Sequence, residues 1–249
     1  MSKNRPFVLT IAGFDPSAGA GVLADIKTFE QHRVQGFAIN TGNTIQTENE
    51  FFEMQWTDVN FVLKSIAVLL KNYNIEAIKI GIVPSLDYLK EIVFAIKKKS
   101  SNTKIIWDTV LKSSTEFNFL DIKNQKLLNE ILTKIDLITP NYNEMQKIFP
   151  GFNLNSNIIP SEVRGLLLKG GHNPNEIGVD YLHTPNNTYK LVPTNKDCYE
   201  KHGSGCVLSA AITANIALGH ELKTACQKAK TYTENYLLSN PTKLGFHYV

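Results

Sequence analysis

Cysteine is scarce in this chain and never paired as Cys-x-x-Cys: Cys198, Cys206 and Cys226 leave one over in any disulfide scheme. That excludes a disulfide-stapled scaffold and fits a reducing compartment. No apolar run approaches the ~20 residues that a membrane-crossing helix needs. Met1 to Pro6 lead into an apolar segment without a signal-peptide core, so the expectation is a soluble, cytoplasmic protein. Strong charge of either sign is also missing. With 26 Lys and Arg against 23 Asp and Glu, the net charge is +3, too mild to argue for nucleic acid or a membrane surface as partner. The run Lys97-Lys98-Lys99 reads as the solvated end of a helix. Repeats, low-complexity tracts and long linkers are absent as well. One domain over residues 1–249 is therefore expected, able to bury roughly 70–75% of its unfolded surface without disulfides or a structural metal.

What is present is alternation. Short apolar runs at Pro6–Ala12, Ala77–Val83, Lys104–Trp107, Ile135–Ile138 and Gly165–Leu168 read as strands. Between them, Phe61, Leu63, Ile66, Leu69 and Leu70, and likewise Leu89, Ile92, Val93 and Ile96, recur at helical spacing. Strands apolar on both faces and joined by helical crossovers predict an α/β fold with a largely parallel sheet covered on both sides. The segment Gly171 to Lys196 departs from this pattern. Its two β-like pieces, Gly178–Leu182 and Thr188–Val192, flank Pro185-Asn186-Asn187 and predict a hairpin at the sheet edge. Two helices, Cys206–Leu218 and Glu221–Leu238, are expected to close the chain.

Two glycine-bearing loops precede predicted helices. Ala12-Gly13-Phe14-Asp15-Pro16-Ser17-Ala18-Gly19-Ala20-Gly21 lies between the first strand and the helix Val22–Gln31. Its spacing matches neither a dinucleotide fingerprint nor a P-loop, and alone it reads equally as a tight turn or a ligand loop. In His202-Gly203-Ser204-Gly205-Cys206, small residues lead into an apolar helix whose free N–H groups can cradle an anion or a phosphoryl group in transfer. Cys206 falls in the first turn, where the helix dipole is expected to lower its thiol pKa towards neutrality. A buried cap with a structural cysteine is the plainer alternative. Polar residues also follow several strands: Asp108, then Asn141 and Glu144, then Lys169. Ligands of open parallel sheets bind at the strand carboxyl ends, and carboxylates facing an anion cradle suit magnesium and nucleotide phosphates.

In order and in combination these segments resemble the ribokinase-fold vitamin kinases, above all the hydroxymethylpyrimidine/phosphomethylpyrimidine kinases of thiamin biosynthesis. The likeness runs nearly end to end. It is carried by Leu9-Thr10-Ile11-Ala12-Gly13, Asp15-Pro16-Ser17, Gly19-Ala20-Gly21 and Ala24-Asp25-Ile26-Lys27-Thr28-Phe29. Further on come Lys79-Ile80-Gly81, Trp107-Asp108-Thr109-Val110, Leu137-Ile138-Thr139-Pro140-Asn141 with Glu144, Lys169-Gly170-Gly171-His172 and the segment ending at Cys206.

The resemblance implies a three-layer α/β/α ribokinase-like fold and ATP-dependent phosphorylation of 4-amino-5-hydroxymethyl-2-methylpyrimidine and of its monophosphate. It implies Cys206 as the base on the hydroxymethyl group and Gly203, Ser204 and Gly205 as the anion hole. Asp25, Gln46 and Gly13 are implied to hold the aminopyrimidine, and Lys169, Asn141 and Asp108 the ATP phosphates. Asp108 and Glu144 are implied for Mg2+, and the assembly is expected to be a homodimer. The sequence departs from the family at Ala18, at Gln46-Thr47-Glu48, at Thr109, along Lys112–Asn118 and from Ser239 onward. Pyridoxal kinase activity is the alternative on the same fold, and a non-catalytic pyrimidine-binding module the alternative of another class.

Overall fold

The computed structural model describes residues 5–113, 117–151, 159–173, 175–194 and 198–248. Among them the strands are β1 (Phe7–Phe14), β2 (Gln35–Gln46), β3 (Phe51–Trp56), β4 (Ile75–Ile80), β5 (Lys104–Trp107), β6 (Leu137–Ile138), β7 (Leu166–Leu168), β8 (Asp180–His183) and β9 (Thr188–Leu191). The helices are α1 (Gly21–Gln31), α2 (Val59–Asn72), α3 (Leu86–Lys99), α4 (Gln125–Leu132), α5 (Tyr142–Ile148), α6 (Ser204–Ala217) and α7 (Leu222–Leu238). One sheet runs in the order β3-β2-β1-β4-β5-β6-β7-β8-β9. Its centre, from β2 to β7, is parallel, whereas β3, β8 and β9 pair antiparallel at the two edges. Among the described residues no helix is long and apolar enough to cross a membrane.

Period-two alternation in the central strands feeds two apolar layers. Ile78 and Ile80 of β4 and Ile105 of β5 point to one face, where they pack with Ile66 of α2, Leu89, Ile92 and Ile96 of α3, and Leu128 of α4. Ala77 and Ile106 point to the other, against Leu208, Ala211 and Ile212 of α6. Helix α6 lies between the sheet, α1 and α7, so it is apolar nearly all round.

Several expectations need adjusting. On α2 the expected stripe holds except at Phe61, which is 66% exposed: Val62 and Ile66 are buried, and Leu63, Leu69 and Leu70 pack against the same core. Strand β4 stops at Ile80, and Gly81 to Val83 follow it as irregular chain. Helix α6 begins two residues early, at Ser204. Lys97 is not simply solvated, because it pairs with Asp136 and donates to the Thr103 carbonyl. The hairpin formed by β8 and β9 lies at the sheet edge as expected. No apolar run announces β2 and β3. Beyond Asn43, β2 leaves β1 and pairs only with β3, forming a two-stranded flap above the carboxyl edge of the sheet.

Candidate active site

The carboxyl ends of the parallel strands open into a cavity of about 740 Å³, within the size range of small-ligand sites. The glycine loop after β1 and the loop before α6 meet at its centre. Gly203 adopts φ +74°, and a Cβ there would lie 2.0 Å from the Gly19 carbonyl oxygen, so the contact admits no side chain. The two loops are also joined by a buried polar contact, His202 Nε2 lying 2.9 Å from Asp15 Oδ2. Asp15 further accepts from Ser17 and from the Ala20 N–H. Burial opposes the Asp15 charge, but the bonds from His202 and Ser17 outweigh it and hold its pKa below the usual aspartate value.

Neither α1 nor α6 has a side-chain cap, which leaves first-turn N–H groups of both helices for a ligand. Cys206 sits half-buried between them on the cavity wall, where the nearby Gly21 N–H favours its thiolate. The expected drop towards neutrality does not occur. Burial pushes the Cys206 thiol up to about 11, with Lys79 the largest opposing influence and Asp108 and Asp25 adding to the rise. Desolvation of the thiolate therefore outweighs the helix dipole.

Across the cavity, Asp108 follows β5 and is enclosed by donors: Thr139 Oγ1 at 3.1 Å, Lys169 Nζ at 3.0 Å and Ser209 Oγ at 3.0 Å. Asn141 and Glu144 form a reciprocal capping box at the start of α5. This spends the Asn141 side-chain oxygen on the Glu144 N–H and one Glu144 oxygen on the Asn141 N–H. Burial pushes the Glu144 pKa up, against the pull of Lys169. Lys169 Nζ stands between the carboxylates, 3.9 Å from Glu144. Burial works against its charge too, but Asp108 and Glu144 prevail and raise its pKa above the usual lysine value. Among the described residues no cluster of three or more His, Cys, Asp or Glu forms a self-sufficient metal site. Two carboxylates with hard oxygen donors nevertheless suit a cation that arrives on phosphates and keeps its waters.

Gly13, Gln46, Asp108, Asn141, Glu144 and Lys169 all line this one cavity, as do Gly203, Ser204, Gly205 and Cys206. Asp25 does not. It is wholly buried, with its carboxylate bound to Lys79 and to Thr10 Oγ1, and in this arrangement a pyrimidine edge has no access to it. Gln46 Nε2 donates to Thr44 Oγ1, which leaves its carbonyl oxygen for a ligand. Sequence reasoning missed the Asp15–His202 contact, although both residues stood inside singled-out loops. It also missed the aromatic wall of the flap, where Phe51 stacks on Phe117 at 4.3 Å and Phe119 meets Phe51 and Trp56 edge-on.

Relatives match nearly the full length of the chain. A hydroxymethylpyrimidine/phosphomethylpyrimidine kinase of Aquifex aeolicus is 28% identical over 249 residues, covering 96% of this chain and 97% of its own length. One from Staphylococcus aureus is 30% identical over 240 residues, covering 90% and 85%. Among solved structures, phosphomethylpyrimidine kinase from Clostridium difficile superposes with a TM-score of 0.75 at 28% identity, over 92% of this chain and 98% of its own. An ADP complex of Bacillus subtilis pyridoxal kinase does so with a TM-score of 0.80 at 26% identity, over 94% and 92%. The family model described as phosphomethylpyrimidine kinase matches residues 15–248, and with its parallel sheet and its site at the strand carboxyl ends the chain belongs to that kinase family.

Proposed function

We propose that the chain transfers the γ-phosphoryl group of ATP to the hydroxymethyl oxygen of 4-amino-5-hydroxymethyl-2-methylpyrimidine, and then phosphorylates the resulting monophosphate to the diphosphate. The observation that carries this reading is a single cavity holding both the uncapped start of α6, with Cys206 in its first turn, and the Asp108–Lys169–Glu144 group.

In the first step the Cys206 thiolate takes the hydroxyl proton as the oxygen attacks the γ-phosphorus. The new O–P bond forms as the bond to the β–γ bridging oxygen breaks, and ADP leaves. The N–H groups of Gly203, Ser204 and Gly205 receive the charge spread over the transferring oxygens. Lys169 and Asn141 hold the phosphates. Mg2+ would be held by Glu144, directly or through water, with Asp108 behind it, and would neutralise phosphate charge. The second step needs no base, because the attacking phosphate oxygen is already ionised at neutral pH.

The Gln46 carbonyl accepts from the pyrimidine amino group, and its remaining N–H reaches a ring nitrogen. Gly13 lets the ring approach the backbone. Asp25 acts from behind the site. Pyridoxal is the competing substrate, since it also offers a hydroxymethyl group on a six-membered aza-ring. An ATP-consumption assay with product identification, offering hydroxymethylpyrimidine, its monophosphate and pyridoxal in parallel, tests the reading. Turnover of the two pyrimidines with little on pyridoxal is expected. Preference for pyridoxal overturns the substrate assignment, and binding without turnover revives the non-catalytic alternative. The homodimer implied by the resemblance belongs to the same proposal and is read by light scattering in solution.

A further inference from the structure

Lys79 is out of place by the logic of its strand. In this layer Ala77 and Ile106 face α6 as apolar residues, while the register partner of Lys79 on β1, Thr10, is polar and buried. Lys79 on β4 is wholly buried in the same layer. Its Nζ is ion-paired with Asp25 of α1, which is held in turn by Thr10 Oγ1 of β1 at 2.5 Å. The same Nζ donates to the Cys206 carbonyl in the first turn of α6 at 3.4 Å. A buried ion pair of this kind adds little net stability over an apolar pair of similar volume, so packing alone gives no reason for it. Its location does, because the cation stands directly behind the cysteine and the anion cradle.

We propose that Lys79, pinned by Asp25, is a positioning residue for the step that phosphorylates the hydroxymethyl group: it fixes the first turn of α6 and supplies a permanent positive charge behind Cys206. The inference rests on the reading of Cys206 as base. A half-buried thiol pushed up to about 11 is almost entirely protonated at neutral pH, so each favourable charge near it raises the population of the reactive form. The groups acting on Cys206 come from every element around it. Lys79 of β4 and the Gly21 N–H of α1 favour the thiolate, whereas Asp25 of α1 and Asp108 beyond β5 oppose it. Lys169 beyond β7 and Tyr236 of α7 also interact with the thiol. Burial works against the Lys79 charge, but Asp25 and its other anionic neighbours prevail and keep it protonated. Lys79 therefore does not titrate in the working range and behaves as a fixed charge.

The test reads the thiol without turnover. The pH dependence of Cys206 alkylation by iodoacetamide, located by mass spectrometry, is compared between the full-length wild-type chain and the double variant Asp25→Asn/Lys79→Met. A neutral pair avoids stranding one buried charge. A second double variant, Asp25→Asn/Lys79→Gln, keeps two polar side chains in contact without charge and carries the test where the first does not fold. The alkylation midpoint is expected to rise by about one pH unit or more in the neutral pair, and Lys79→Arg to restore it in part. Turnover of the hydroxymethyl substrate is expected to fall about tenfold or more, with phosphorylation of the monophosphate reduced less than about threefold. An unchanged midpoint, or equal losses in both steps, overturns the proposal. If Cys206→Ala leaves the first step intact the base reading fails, and the alkylation midpoint still decides separately whether Lys79 acts on the thiol.

Discussion

His202 Nε2 lies 2.9 Å from Asp15 Oδ2, and this buried contact ties the loop after β1 to the loop before α6. In the proposed reaction the substrate and the phosphoryl group meet at those two loops, so their separation would set the distance across which transfer occurs.

His202→Ala removes a hydrogen bond to a charged carboxylate, worth about 1.5–3 kcal/mol. The thermal midpoint is expected to fall by about 3–12 °C, with kcat reduced in both steps. The Asp15 contribution has a defined sign with pH. Its folded pKa lies below the unfolded value of 3.8, so the stabilisation is fully present above that value and is lost as pH falls through the folded pKa. Thermal melts from pH 6 downwards, wild type against Asp15→Asn, should draw together as the pH falls below 3.8. A constant gap would contradict this assignment.

Gly203→Ala and Gly205→Ala separate geometry from space. At Gly203 a methyl meets a backbone oxygen at 2.0 Å in a left-handed conformation, whereas at Gly205 it meets only the flexible end of Lys169 at 3.4 Å. The expected loss of kcat exceeds about 100-fold for Gly203→Ala and stays near tenfold for Gly205→Ala. Steady-state kinetics of both variants check the ranking.

Much of this was legible in the chain itself. Buried strands such as Lys104–Trp107 and helices such as Leu86–Lys99 announce themselves through apolar runs and periodicity, because they face the core. The flap does not. Along Asn40 to Gln46, Thr44 and Gln46 line the cavity and Ile45 is exposed, so the segment is mostly polar and shows no apolar period towards the core. The cavity residues were legible as polar groups following strands, since a parallel sheet gathers such ends on one edge. Two charge effects were not. The rise in the Cys206 pKa depends on burial by distant segments, and the pairing of Asp25 with Lys79 joins residues 54 positions apart.

The pH dependence of the two steps should differ. With the free-enzyme thiol at about 11, the thiolate fraction rises about tenfold per pH unit below that value. The kcat/KM for hydroxymethylpyrimidine is therefore expected to climb steadily from pH 7 to pH 9.5, while that for the monophosphate stays nearly flat over the same range. Parallel profiles would mean that one group limits both steps.

The C-terminal segment acts as a brace. The His202 N–H donates to the Lys243 carbonyl at 2.9 Å, Lys201 Nζ binds the Asn240 carbonyl, and Leu244 packs beside Gly19. A chain ending at Ser239 is expected to keep its sheet and lose about 100-fold in kcat through misplacement of the cradle. Circular dichroism and kinetics on the same sample test this, and full activity of the shortened chain would contradict it.

The most direct test of the account is the ratio of the two phosphorylation rates in Cys206→Ala. Loss of a general base is expected to slow transfer to the hydroxymethyl group by about 10²–10⁴-fold and to leave transfer to the monophosphate within about threefold of wild type. Equal losses in both steps would contradict the role of Cys206 as base and assign it to binding or loop geometry instead.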